Sequence, residues 1–302
     1  MQYLGIPLAI LGAVLMSVSA MLQHRGVARA DAAGNGDGGE GLGLGSFLRL
    51  LKSKTWLSGT LLLGIAVACQ LSALLFSPLV LVQPIGVISL VLTAIITAKQ
   101  SGMPVGRRKA LSITLCVTGV GGFVAVASSV AVDKEITEPQ LIIVLCILAG
   151  LVALLGVLFA FVRRTKWRSL FYVVAGGVMY GFLVTLAKVV LARWQQGDYG
   201  WYFLACLAGV IISLLVGGYF VQTAYASSSA DLVIAGLTVI DPLVAVTIGI
   251  VVLRETEGAS LLVNILFVAL GALAIVGVLL LQLSQSDDEV SAVRNHALGR
   301  GN

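Results

Sequence analysis

Nine apolar runs, each long enough to cross a bilayer, occupy most of the 302 residues. They lie at 3–23, 55–76, 78–98, 110–129, 140–162, 169–192, 201–221, 232–253 and 260–282. Each supplies about 20 mainly apolar residues, the length of a helix that crosses about 30 Å of hydrocarbon. Numbering the intervening loops alternately sorts the 19 Lys and Arg residues. Lys134, Arg193 and Arg254 fall on one side, Lys188 falls inside the sixth span, and all the others fall on the opposite side. Basic loops stay cytoplasmic, so this pattern predicts an amino terminus outside and a carboxyl terminus inside the plasma membrane. A wrong span count would scramble the asymmetry.

Composition fits an integral membrane protein. Charged residues make up 11% of the chain, well under the roughly 25% of soluble domains. The basic excess reports orientation and gives no reason to expect a nucleic-acid partner. The first span lacks a basic segment before its apolar run and is read as a retained helix rather than a signal peptide. Cys69, Cys116, Cys146 and Cys206 all lie within spans, where thiols pack as small hydrophobes, so neither a zinc site nor a disulfide framework is expected. No cofactor is implied.

The expected domain is a single transmembrane unit over 1–283, followed by a disordered cytoplasmic tail over 284–302. A glycine-rich tract at 31–45 reads as a linker, not a dinucleotide loop, because no strand precedes it. After it, SFLRLLKSK at 46–54 interleaves Leu and Phe with basic residues and predicts a short amphipathic helix on the cytoplasmic surface.

Two internal matches suggest duplication. Residues 12–29 align without a gap on 176–193, placing Gly12 on Gly176 and His24 on Lys188. LVLVQPIG at 79–86 aligns on LTVIDPLV at 237–244, placing Pro84 on Pro242 and Gln83 on Asp241. These matches pair spans 1–4 (3–129, including the loop at 26–54) with spans 6–9 (169–283) and leave the fifth span, 140–162, as a spacer. Four spans plus a spacer is odd, so the second copy enters the membrane from the opposite side. Inverted repeats around a midplane site characterise alternating-access transporters.

Polar groups inside the bilayer are costly and mark candidate sites. Asp241 lies near the centre of its span immediately before Pro242, where a kink would free backbone carbonyls beside a carboxylate. It reads as a proton- or cation-binding group, or alternatively as the partner of Lys188 in a structural ion pair. Gln83 and Gln70 read as substrate contacts or as interhelical hydrogen-bond glue. Lys188, near the outer end of the sixth span, and His24, at the inner end of the first, complete the candidate substrate- or ion-binding set. Their alternatives are snorkelling and an interfacial position. Glu255 reads as a helix-end residue. An enzyme is not expected, since the spans hold no second deep carboxylate near Asp241, no Ser with a usable base and no His cluster.

Residues 56–100 resemble the drug/metabolite transporter superfamily, and within it the NIPA-type proteins. The resemblance rests on Ser77-Pro78-Leu79-Val80-Leu81-Val82-Gln83-Pro84-Ile85-Gly86, which follows an A-P-x-x-L-V-x-P-x-G pattern. Residues 222–255 look like EamA-type members, which often end this helix with Gly-Glu where this chain has Arg254-Glu255. The resemblance implies nine helices and, for NIPA relatives, magnesium transport. Those relatives typically carry a Glu three residues before an Asn where this chain has Val67 and Gln70. The functional expectation is therefore an alternating-access secondary transporter of a small polar or amphipathic solute. Lys188, Arg193, His24 and Arg25 make a phosphate-bearing cargo attractive. The alternatives are a flippase for a lipid-linked sugar, a NIPA-like magnesium transporter and a non-transporting scaffold. Membrane lipids and a proton or coupling cation are the expected partners, and a homodimer is compatible with the reading.

Overall fold

The computed structural model describes residues 4–32, 53–100, 106–132, 136–165, 167–227 and 230–299. They form α1 (Gly5–Ala32), α2 (Lys54–Phe76), α3 (Leu79–Gly86), α4 (Ile88–Gln100), α5 (Arg107–Val130), α6 (Glu138–Val162), α7 (Arg168–Gln196), α8 (Trp201–Ser227), α9 (Ala230–Val251) and α10 (Leu261–Gly299). Nine helical stretches among the described residues are long and apolar enough to span a bilayer, α3 and α4 together making one of them. The protein is all-helical and integral to the membrane. Large apolar side chains such as Leu61, Phe161 and Val268 lie exposed on its flanks, the surface a bilayer would cover.

Local chemistry accounts for the helix ends. Ser53 caps α2 by accepting from the Trp56 N–H. Thr137 opens α6 in a capping box, its N–H donating to Gln140 Oε1 at 2.9 Å. At the end of α7, Gly197 takes φ 70°, and Asp198 N–H reaches back to the Arg193 carbonyl at 3.1 Å.

Helix contacts follow one scheme in both halves. α1 packs on α2, and on α3 and α4; α7 packs on α8 and on α9. Across the halves, α5 pairs with α10 and α3 with α9, while α6 leans on α7 and α8. Small residues permit these approaches. A methyl group on Gly119 of α5 would come within 2.5 Å of the Ala274 nitrogen on α10, and one on Gly277 within 2.4 Å of the Cys116 nitrogen. The aligned glycines behave alike. A methyl on Gly12 would meet the Ala66 carbonyl of α2 at 3.2 Å, and one on Gly176 would meet Val221 of α8 at 2.7 Å.

α9 continues through Pro242, the position of the expected kink. In the first half the helix is interrupted at Val87. There Val87 N–H donates to the Pro84 carbonyl at 3.2 Å and Leu90 N–H to the Val87 carbonyl at 3.1 Å, a tightened turn between α3 and α4. The tail expected to be irregular is helical instead, because α10 continues past Leu281 to Gly299. Residues 282–298 contain neither Pro nor Gly, so nothing in the backbone stops the helix. The amphipathic segment at 46–54 lies outside the described residues, apart from Ser53 and Lys54 at the start of α2.

Candidate functional site

Asp241 and the Lys188–Glu255 pair form two separate centres of ionisable side chains. Asp241 faces α7 where that helix carries glycine. Methyl groups on Gly177 and Gly181 would meet Ile240 and Val244 at 2.7 and 2.6 Å. The absent side chains let α9 lie close enough to bring Asp241 into the seam. Its Oδ1 is fully enclosed and has no hydrogen-bond partner, and Tyr180 lies within electrostatic range. Leaving a buried oxygen without a donor is expensive, so such an atom in a native fold calls for an explanation.

Gln70 and Gln83 do not hydrogen-bond to this Oδ1. Gln70 sits between α1 and α3, its amide close to both Gly12 and Gly86, and Gln83 is buried within α3. Pro84 and Pro242 line one cavity with about 80 Å³ of free space, bounded by α3, α5, α9 and α10. Its walls are apolar, with Val87, Val120, Phe123 and Thr238 among them, and the carboxylate of Asp241 is not part of them. Beside the α3–α4 interruption two serine hydroxyls, with no signal in the sequence pattern, donate to backbone carbonyls. Ser89 Oγ donates to the Gly86 carbonyl at 2.7 Å, and Ser17 Oγ of α1 donates to the Ser89 carbonyl at 2.6 Å. His24 lies on α1, but its side chain falls outside the described residues.

Lys188 corrects the alternative in which it pairs with Asp241. Its Nζ lies 2.8 Å from Glu255 Oε1, and both residues are buried, at 4% and 3% exposure. The reason is distance along the helix: Lys188 stands seven residues beyond Gly181, roughly 10 Å at 1.5 Å per residue. Glu255 also caps α3, accepting from Leu79 N–H and Val80 N–H at 2.9 Å each. Lys188 Nζ donates in addition to the Ser77 carbonyl at 3.4 Å. Near it, Arg193 pairs with Asp198 and donates to the Ile136 carbonyl at 3.2 Å. The Gly200 N–H and the Arg193 guanidinium hold the Asp198 carboxyl below its ordinary range.

Among the described residues no group of three or more His, Cys, Asp or Glu side chains is placed to hold a metal. What the arrangement offers at depth is one carboxylate with an unused oxygen. The family model described as magnesium transporter NIPA matches residues 1–286. The chain belongs to the NIPA family. NIPA-family proteins are transporters rather than enzymes. This NIPA-family chain is also similar to an uncharacterised protein of Corynebacterium glutamicum, 23% identical over 253 residues that cover 83% of this chain and 85% of that one. No solved structure matches it.

Proposed function

We propose that this protein carries a cation across the membrane by alternating access between its two halves, with Asp241 as the group that receives the cargo. The observation that carries the reading is a contrast between carboxylates. Glu255 is matched by Lys188 and by two backbone N–H groups, whereas Asp241 Oδ1 is enclosed and unmatched. A cation arriving beside Asp241 would supply what the fold withholds. Magnesium, the ion in the family's description, suits a sparse site because it keeps several waters and takes one or two carboxylates. The shared contact scheme of the halves and the aligned Gln83-Pro84 and Asp241-Pro242 pairs support the inverted-repeat architecture that alternating access uses. The phosphate-bearing cargo loses its main support, because Lys188 and Arg193 are engaged by Glu255 and Asp198.

The test is flux. Purified protein in liposomes loaded with a magnesium-sensitive dye should admit magnesium down its gradient, and Asp241→Asn should abolish the signal while leaving a folded protein. Wild-type flux from Asp241→Asn would remove Asp241 from the mechanism. Absence of magnesium flux together with binding of a polyprenyl phosphate would favour the flippase instead.

A further inference from the structure

We propose that Glu255 is a gate latch: its carboxylate holds the first half of the bundle shut against the second at one membrane face. The proposal rests on the transport reading only in calling the closed end a gate.

The latch is built from the sequence outward. α9 ends in a left-handed cap, with Arg254 at φ 56° and the Glu255 N–H returning to the Gly249 carbonyl at 2.9 Å. That turn directs the next side chain, Glu255, back across the bundle. Gly249 leaves room for it, since a methyl there would stand 2.8 Å from Glu255 Oε2. The carboxylate then spans three elements. It pairs with Lys188 of α7 and accepts from the first two N–H groups of α3, the end of a helix where an anion is most stabilised. Its own backbone N–H and C=O are also used, the carbonyl accepting from Val132 N–H at 2.8 Å.

The side-chain bonds of Glu255 join residues far apart in sequence, and the ones to Leu79 and Val80 join one half to the other. Beneath them Val184, one turn before Lys188, packs against the cluster of Leu79, Val82 and Leu253. Val184 stands on α7 between Gly181, at the Asp241 seam, and Lys188 at the latch. A side-chain acid gripping two N–H groups and one ammonium is a discrete, breakable contact between rigid bodies, the kind of bistable element on which rocking motions turn. Had burial been the only requirement, an apolar plug of equal volume would have served at no desolvation cost.

The experiment uses the full chain in liposomes, with Cys69, Cys116, Cys146 and Cys206 replaced by Ala and a reporter cysteine at Val184→Cys. An impermeant maleimide is presented separately to each face. With Glu255 intact, the reporter should be labelled slowly from the face carrying Asp198. Glu255→Gln and Lys188→Met should each raise that rate about tenfold or more, and only from that face. An unchanged rate in folded variants would overturn the latch. So would a rise from both faces, which would mark a generally loosened bundle. If the single variants fail to fold, the Glu255→Gln, Lys188→Met double variant removes both charges together and must give the same one-sided rise. Magnesium flux measured on the same liposomes separates the two proposals: one-sided labelling without wild-type flux leaves the latch standing and sinks the cation reading.

Discussion

The two halves carry the same proline motif and put it to opposite uses. In the first, Gln83-Pro84 is followed within three residues by the interruption between α3 and α4. In the second, Asp241-Pro242 sits inside a helix that does not break. The residues downstream of each proline account for the difference. After Pro84 come Gly86, the β-branched Val87 and Ile88, and Ser89, whose hydroxyl takes the freed Gly86 carbonyl. After Pro242 the chain runs Leu-Val-Ala-Val-Thr-Ile without a glycine, held against the glycine face of α7. One copy thus keeps the backbone irregularity and the other keeps the charge.

The two inward carboxylates, buried Glu255 and half-buried Asp241 with its enclosed Oδ1, differ just as sharply, and stability should separate them. Cutting the matched pair should have the largest effect. Lys188→Met alone leaves the Glu255 charge buried without its ammonium, and Glu255→Ala alone strands Lys188. Each should cost about 3–5 kcal/mol, with the double variant recovering much of the loss. Unfolding in detergent titrated with denaturant checks this, and additive losses would mean that the pair is not coupled.

Asp241→Asn should act in the opposite direction. The amide is close in shape to the acid, carries no charge into the seam, and relieves an unmatched carboxylate, so stability should rise by about 1 kcal/mol while transport is lost. A fall in stability would show that the enclosed oxygen has a structural partner.

The smallest effect belongs to the exposed Asp198. Its carboxyl is held low by the Gly200 N–H and Arg193. Its contribution is therefore complete above the ordinary aspartate value of about 3.9 and is lost as pH falls through the lower folded value. Asp198→Asn should lower the melting temperature slightly at neutral pH, flatten the acid limb of the profile, and converge on the wild type in strong acid. Salt should weaken the same contribution.

The spans were legible because a bilayer imposes a length and a composition that apolar runs display directly. Asp241 was legible for the same reason: a carboxylate at mid-span has no ordinary explanation. The break at Val87 was not, because both prolines give the same local signal and only the residues after them and the facing helix decide the outcome. Glu255 was missed because a carboxylate beside Arg254 at a helix end reads as solvated. Its role depends on a left-handed turn at a non-glycine residue and on an α3 terminus 175 residues away in sequence. The clue available in the sequence was Lys188 itself, a deep ammonium that needs an anion at its own depth. Distance along α7 rules out Asp241 for that task.

Whether Asp241 receives the cargo cation can be tested by ligand-induced stabilisation, without requiring flux. Thermal unfolding of the purified chain in detergent is followed across a magnesium titration, with sodium at matched ionic strength as the control. A ligand that binds only the folded state adds about 2.7 kcal/mol at 100 times its dissociation constant, so occupancy appears as a concentration-dependent rise in Tm. Magnesium should raise Tm in the wild type and in the Glu255→Gln, Lys188→Met double variant, and should leave Asp241→Asn unmoved. An equal rise in Asp241→Asn would contradict the assignment of Asp241 as the receiving group.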